Sequence, residues 1–433
     1  MQRYVPISRL LAVCLSAMPA QASNLDAPVL AILSDTDMVP TVYETGDLGP
    51  VETRYGDTLS ILSLEDGHAL LSAEVSNSTN GPPGALALSR DRRFAFVAET
   101  YERRPEGATR LDQLRPGRQL RSIDIGDAKE ARIVDSVEIG TQPQAIDLSP
   151  AGDLLVAITT DADSELVFLP VHEGRFGEVK RFSLDLPPSG GFIPLKSAWV
   201  QWHPSGQYIA VNLIDRSQVA FYEVMRDGSG SISEIRPWGN RIQTNKFPFV
   251  GRFSPDGRFY VTSDLQWGVD TKGFFGVQEG ILTTVRLDET GVAGEAARHT
   301  VPHIAIGGWA SETILFSPDG RFLVTSNLRG TGKADDDSEW TEQASLNLYA
   351  VDQQSGRLTL KGEWLFDAVQ PQGLAFDENG STLYVGVNRY RTGTGPSSGA
   401  VETWRLVADG TPRLEPTGSR VHLPTGVHTI VRR

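Results

Sequence analysis

The heptapeptide "FSPDGRF" at Phe253–Phe259 recurs at Phe316–Phe322, and each copy runs into a similar tail, "YVTSDL" or "LVTSNL". Within each copy Pro presets φ for the second position of a type I turn, Asp suits the third, and Gly takes the left-handed position that follows. Aromatic and β-branched residues flank the turn on both sides, so the spelling predicts a tight hairpin between two strands. Looser relatives stand at "ALALSRDRRFAFVAET" from Ala85, "AIDLSPAGDLLVAITT" from Ala145, "WVQWHPSGQYIAVNLI" from Trp199 and "LAFDENGSTLYVGVNRY" from Leu374. Aligned on Ser89, Ser149, His203, Ser254, Ser317 and Asp377, the six copies recur every 51 to 63 residues.

An internal repeat of that period constrains the architecture more than any other feature of the chain. Between copies lie two further strand-like runs joined by a Gly-containing polar turn, as in "SLNLYAVDQQSGRLTLKGEW". Each period therefore holds four antiparallel strands, the unit of a β-propeller, whose sheets pack face to face in a ring and expose no long edge. The ends complete the count. The C-terminal "PTGVHTIVRR" matches only an innermost strand, while "PVLAILS", "TLSILSLEDG" and "HALLSAEVS" supply the other three. The expectation is an all-β, seven-bladed propeller over residues 23–433, closed by one C-terminal and three N-terminal strands.

Residues 1–22 read as a cleaved secretory signal. Arg3 and Arg9 supply charge, "LLAVCLSAMPA" is an apolar core, and Ala20-Gln21-Ala22 is a small-x-small cleavage site. The mature chain would begin near Ser23, periplasmic or secreted. It would then contain no cysteine, because Cys14 is the sole one, which excludes disulfides, thiolate metal sites and a Cys nucleophile. No later run is long and apolar enough to span a bilayer. With 40 basic and 54 acidic residues the chain carries a formal charge of −14, which argues against nucleic acid as a partner.

The short SPDG-type turns fall on one propeller face. The opposite face receives long excursions after the second strands, roughly 101–120, 265–280, 328–344 and 389–400, and long loops on a rigid frame carry function. The site is expected there, at the channel mouth. Polar and aromatic residues at second-strand ends are its candidates: Glu99 and Tyr101, Asn212, Asp264 with Trp267, Asn327 with Arg329, and Asn388 with Arg389 and Tyr390. Aromatics that stack and amides that orient suit a sugar-like or lactone-like ligand, although capping of strand ends explains Asn and Asp as well. The loop from Tyr101 to Ser122 holds six arginines, at 103, 104, 110, 115, 118 and 121, which either balance acidic surroundings or fork onto an anion.

Other motifs point to no chemistry. "GPSSG" at Gly395–Gly399 matches a nucleophile elbow but sits in a Gly/Ser-rich loop instead of a strand-to-helix turn. His299 and His303 lie along one strand face, about 13 Å apart and too far to share a metal. The run Asp335-Asp336-Asp337 lacks the spacing of a calcium loop. Neither metal nor cofactor is expected, and the partner is a small molecule or a periplasmic protein, with the chain a monomer.

Turns of the type "SPDG" followed by "YVTSN"-like or "LYVGVN" strands resemble the lactonase-like seven-bladed propellers, which include a bacterial 6-phosphogluconolactonase type and the 3-carboxymuconate cyclases, with YVTN-repeat surface proteins as relatives. "LYVGVNRYRTG" resembles the family's Asn-Arg pair, carried here by Asn388 and Arg389, and "VQWHPSGQYIAVNL" its F-H-P-x-G hairpin, carried by His203 and Pro204. The chain departs at "PLKSAW", where Lys196 replaces an Arg-His or His-Ser-Ala motif, and at Asn212-Leu213, where the family shows Asn-Glu. The resemblance implies a lactonase, which needs a base to activate water and a cation to hold the oxyanion. Arg389 or Lys196 would supply the cation, and Glu99 or Asp264 the base. A phosphosugar lactone is not the expected substrate, because such compounds are cytosolic. The competing expectation is a non-catalytic propeller that binds a protein or polysaccharide through its long loops.

Overall fold

A computed structural model describes residues 28–432 apart from 51–55, 65–68, 76–80, 127–129, 187–196, 229, 273–274, 289–295 and 392–397. The signal segment and Lys196 thus lie outside the described residues. The rest forms seven antiparallel sheets arranged as a propeller. In chain order the inner strands are Leu86–Leu88, Ala145–Leu148, Trp199–Trp202, Pro248–Phe253, Ser311–Phe316, Val369–Phe376 and Val427–Arg432, which define blades 1 to 7. Blade 7 is completed by Val29–Ser34, Thr58–Ser63 and Ala69–Glu74, so one C-terminal strand and three N-terminal strands close the ring as expected. In blade 2 the outermost position is split between Arg175–Phe176 and Lys180–Phe182.

The repeated turn shows why its spelling recurs. Ser254 Oγ donates to Asp256 Oδ1 over 2.6 Å and accepts the Phe259 N–H over 3.0 Å, while Gly257 sits at φ 76°. Ser317, Asp319, Phe322 and Gly320 repeat the arrangement, with Gly320 at φ 69°. Ser89 and Asp91 build it a third time, although Arg92 must take the left-handed position at φ 62° in place of glycine. The second strands, such as Phe259–Asp264 and Phe322–Asn327, are buried along their whole length. Both faces of such a strand pack on neighbouring blades, so even its polar half, Thr262 to Asp264 or Thr325 to Asn327, is buried.

Closure places one severe demand on the backbone. Asp35 N–H donates to Gly426 O over 2.9 Å, and a Cβ on Gly426, itself at φ 89°, would lie 1.7 Å from the Asp35 carbonyl oxygen. Among the described residues no helix is long and apolar enough to cross a membrane.

Candidate functional site

Three consecutive blades carry an irregularity where their inner strands begin. In blade 4 Pro248 pairs with Asp264 and Val250 with Ser263, leaving Phe249 as the extra residue. In blade 5 Ser311 pairs with Asn327 and Thr313 with Ser326, leaving Glu312. In blade 6 the register slips between Pro371 and Leu374, around Gln372. A bulge leaves its extra residue unpaired and re-aims its side chain. Here Phe249 and Glu312 line a cavity of about 260 Å³ on the face opposite the SPDG-type turns.

One wall of this cavity is aromatic. Phe247, Phe249, Trp267 and Phe275 form a chain of rings with centroids 5.0 to 5.9 Å apart, the Trp267–Phe275 pair meeting edge to face at 89°. Trp267 Nε1 is a buried donor with no acceptor among the described residues. An unpaired buried donor is costly, and the Trp267 ring that carries this one lines the cavity.

The opposite wall is polar. Glu312 is 4% exposed, and its Oε1 accepts Gln372 Nε2 over 2.9 Å; the carboxyl makes no other hydrogen bond among the described residues. Burial disfavours its charged form and pushes its pKa up to about 8, against the smaller opposing effect of the Gln372 bond. Lys333 pairs with Glu44 and, at 3.4 Å, with Glu339; Arg329 pairs with Glu363 at 3.1 Å. Among the described residues, both cations that line the cavity thus already face a carboxylate.

The roof comes from blade 7. Residues 36–50 leave its second strand, and the short helix Val42–Thr45 carries Tyr43 and Glu44 to blades 4 and 5. Tyr43 meets the Phe275 ring at 5.7 Å, Glu44 reaches Lys333, and Pro40 O accepts Gln370 Nε2 over 3.2 Å. Burial, then the nearby Glu312 and Asp35 carboxyls, push the Tyr43 hydroxyl well above the usual tyrosine range. The arginine-rich loop buttresses this segment from blade 1. Arg104, buried, donates to Asp37 Oδ1 over 2.9 Å and to Gly49 O over 2.8 Å, and Arg110 pairs with Asp47. Arg103, Arg118 and Arg121 are paired with Glu74, Glu138 and Glu99. Five of the six arginines therefore meet the protein's own carboxylates.

Of the residues singled out in the sequence, Trp267 and Arg329 line the cavity. Asp264 lies fully buried beneath the Trp267 loop and accepts Thr262 Oγ1, Thr283 Oγ1 and Asn245 N–H, while burial pushes its pKa up to about 7. Asn327 is held by Thr325, Ser345 and Asn347, and Asn212 Oδ1 accepts the Tyr260 hydroxyl over 2.8 Å. Glu99 is tied to Arg121 at 2.7 Å in blade 1. In blade 6 the Tyr390 hydroxyl donates to Glu402, the Asn388 carbonyl accepts Gly426 N–H, and Arg389 is half-buried, its pKa lowered by burial and by Arg391. The structure does not bring these last residues to the cavity wall.

Glu312, Gln370, Lys333 and the blade 7 roof are not among the residues the sequence reading selected. A glutamate inside the inner-strand run "ASETILF" is the one signal that marks Glu312. For metals, the ligand oxygens of Asp35, Asp37 and Asp57 lie within 4.8 Å of one another. They already accept the N–H groups of Asp37, Met38 and Thr36 and the Arg104 guanidinium, which makes them a folded knot of the roof.

Residues 199–394, from the inner strand of blade 3 to the loop after the second strand of blade 6, match the family described as "Lactonase, 7-bladed beta-propeller". The match includes every cavity residue from blades 3 to 6 and stops short of the roof. No curated protein matches the chain. Among solved structures, a periplasmic gluconolactonase of Pseudomonas aeruginosa superposes with a TM-score of 0.62 at 18% identity, covering 94% of this chain and 98% of its own. Putative 6-phosphogluconolactonases of Bacteroides fragilis and Bacteroides uniformis give 0.60 and 0.61 at 15% identity, covering 95% and 94% of this chain and 99% and 100% of theirs. The resemblance to the lactonase-like seven-bladed propellers holds, and at these identities the superpositions speak for the fold.

Proposed function

We propose that the protein binds and hydrolyses a small, uncharged, sugar-type lactone in the roofed cavity between blades 4, 5 and 7. The observation that carries this reading is Glu312, a buried carboxyl with a pKa near 8, facing an aromatic wall in a cavity of small-molecule size. The C–H face of a lactone ring stacks on Phe249 and Trp267. In its charged form Glu312 takes a proton from the water that attacks the carbonyl carbon. The oxyanion is held by the Trp267 indole N–H. Collapse breaks the ring C–O bond, and Glu312 returns its proton to the departing oxygen.

Among the described residues, both cations that line the cavity are already paired, which supports an uncharged substrate. Lys333 and Arg329 are both committed to carboxylates, so a phosphate or carboxylate tail would compete with Glu44, Glu339 and Glu363. The matching family and the gluconolactonase of like fold support the same chemistry. Export rests on the N-terminal pattern, which also suits a lactone without phosphate. A purified preparation assayed on neutral and phosphorylated δ-lactones tests the reading, which expects turnover of the neutral compounds.

One observation favours a binding module instead. The outer strand Thr300–Trp309 of blade 4 exposes Ile304, Ile306 and Trp309, each about half accessible, on the propeller's rim. Capture of a protein partner that an Ile306→Asp variant loses, with no lactone hydrolysed, would establish that alternative.

A further inference from the structure

The central channel opens on the other face into a second cavity of about 410 Å³, lined by the inner strands near the SPDG-type turns. One residue per blade stands two positions before the turn-opening residue: Ala87, Asp147, Gln201, Arg252, Leu315 and Ala375, with Ile430 level with them in blade 7. All seven line this cavity. Four are apolar, and the three polar ones are consecutive, on blades 2, 3 and 4.

Two of the three do the same structural work. Asp147 Oδ2 accepts the Trp202 N–H of the next blade over 2.8 Å, and Gln201 Oε1 accepts the Phe253 N–H of the next over 3.0 Å. Arg252, a donor only, cannot continue the series. Its guanidinium lies 4.3 Å from the centroid of Trp199, and it makes no hydrogen bond or ion pair among the described residues. Because Gln201 must present its oxygen to Phe253, its Nε2 amide is left as a donor, also without an acceptor among the described residues. Both groups occupy the seam between blades 3 and 4. Burial lowers the pKa of Arg252 to about 10, against the smaller opposing effect of the Asp147 carboxyl across the channel.

We infer that the lower channel is a binding site for a small carboxylate monoanion, held by the Arg252 fork and the Gln201 amide against the Trp199 ring. Arginine suits a planar, two-oxygen acceptor, and its stacking on Trp199 fixes the plane of the fork. The Asp147 carboxyl, on the next blade over, makes a second negative charge unwelcome, so a monoanion is favoured over a dianion. The site lies at the opposite end of the channel from Glu312 and does not depend on the lactonase reading.

Calorimetric titration of the whole protein at constant ionic strength, with sodium acetate and with inorganic phosphate as probes, tests the assignment. Acetate is expected to bind one to one and more tightly than phosphate. Arg252→Gln is expected to weaken acetate at least tenfold, and Gln201→Glu, which keeps the Phe253 bond and adds a charge, to do the same. No saturable acetate heat in the wild type, tighter binding of phosphate, or acetate affinity unchanged in either folded variant would overturn it.

Discussion

Gln372 Nε2 donates to Glu312 Oε1 over 2.9 Å, joining the irregular inner-strand starts of two neighbouring blades at the floor of the roofed cavity. The bond fixes one carboxyl oxygen and leaves the other for chemistry. Replacing Glu312 by Gln keeps the volume and removes the proton acceptor. Lactone turnover is expected to fall by about 10²- to 10⁴-fold, the usual worth of a positioned acid–base group, with substrate binding largely kept. Steady-state kinetics on a folded Glu312→Gln protein checks this.

The same carboxyl makes stability depend on pH. The folded state holds its proton up to about pH 8, whereas the unfolded chain releases it near the ordinary value of 4.5. Between these values the folded state binds more protons, so stability is full below pH 4.5 and is lost as pH rises through 8. Asp264, with its pKa near 7, acts in the same direction. Above pH 6.5, where the buried His299 and His428 no longer add stability with rising pH, thermal melts of the wild type should fall toward pH 8, and Glu312→Gln should flatten the slope.

Lys333 holds the blade 7 roof to blade 5 through Glu44. Lys333→Met leaves Glu44 and Glu339 facing each other without a cation. A charge-assisted bond contributes about 1.5–3 kcal/mol, so KM is expected to rise about tenfold or more, with a smaller change in kcat. Faster proteolytic cleavage within residues 36–50 would accompany it.

The two identical turns should not tolerate alanine equally. Gly320→Ala meets the far end of Gln353 at 3.0 Å and the Pro255 ring at an ordinary contact distance of 3.4 Å, so its cost is mainly that of a left-handed φ, about 1 kcal/mol. Gly257→Ala places its Cβ 2.4 Å from His203 Nε2, a ring packed against Phe253 and bonded to Gly257 O. Denaturant melts should rank Gly257→Ala clearly below Gly320→Ala.

Closure has a sharper test. A Cβ on Gly426 would collide with the Asp35 backbone, which no rotamer change relieves. Gly426→Ala is expected to lower global stability by about 3 kcal/mol or more, within the range of severe backbone effects.

The ring was legible in the sequence because its devices are local. Ser, Pro, Asp and Gly spell each turn, and complementary ends spell the closure. Trp267 and Arg329 were reachable because they follow second strands directly. Glu312 was not, since its position depends on a bulge that the strand pattern conceals. The roof was hidden for a different reason: residues 35–57 read as a connection between closing strands, and only the fold shows Tyr43 crossing to Phe275. The arginine loop shows the converse limit, because spacing alone does not say that Arg104 would spend its donors on Asp37 and Gly49.

The most direct test is proton release by the purified protein on a panel of neutral γ- and δ-lactones, run in parallel with Glu312→Gln. Turnover of a neutral lactone that rises with pH toward 8 and collapses in the variant is the predicted result. Turnover that survives Glu312→Gln unchanged, or no turnover of any lactone, would contradict it.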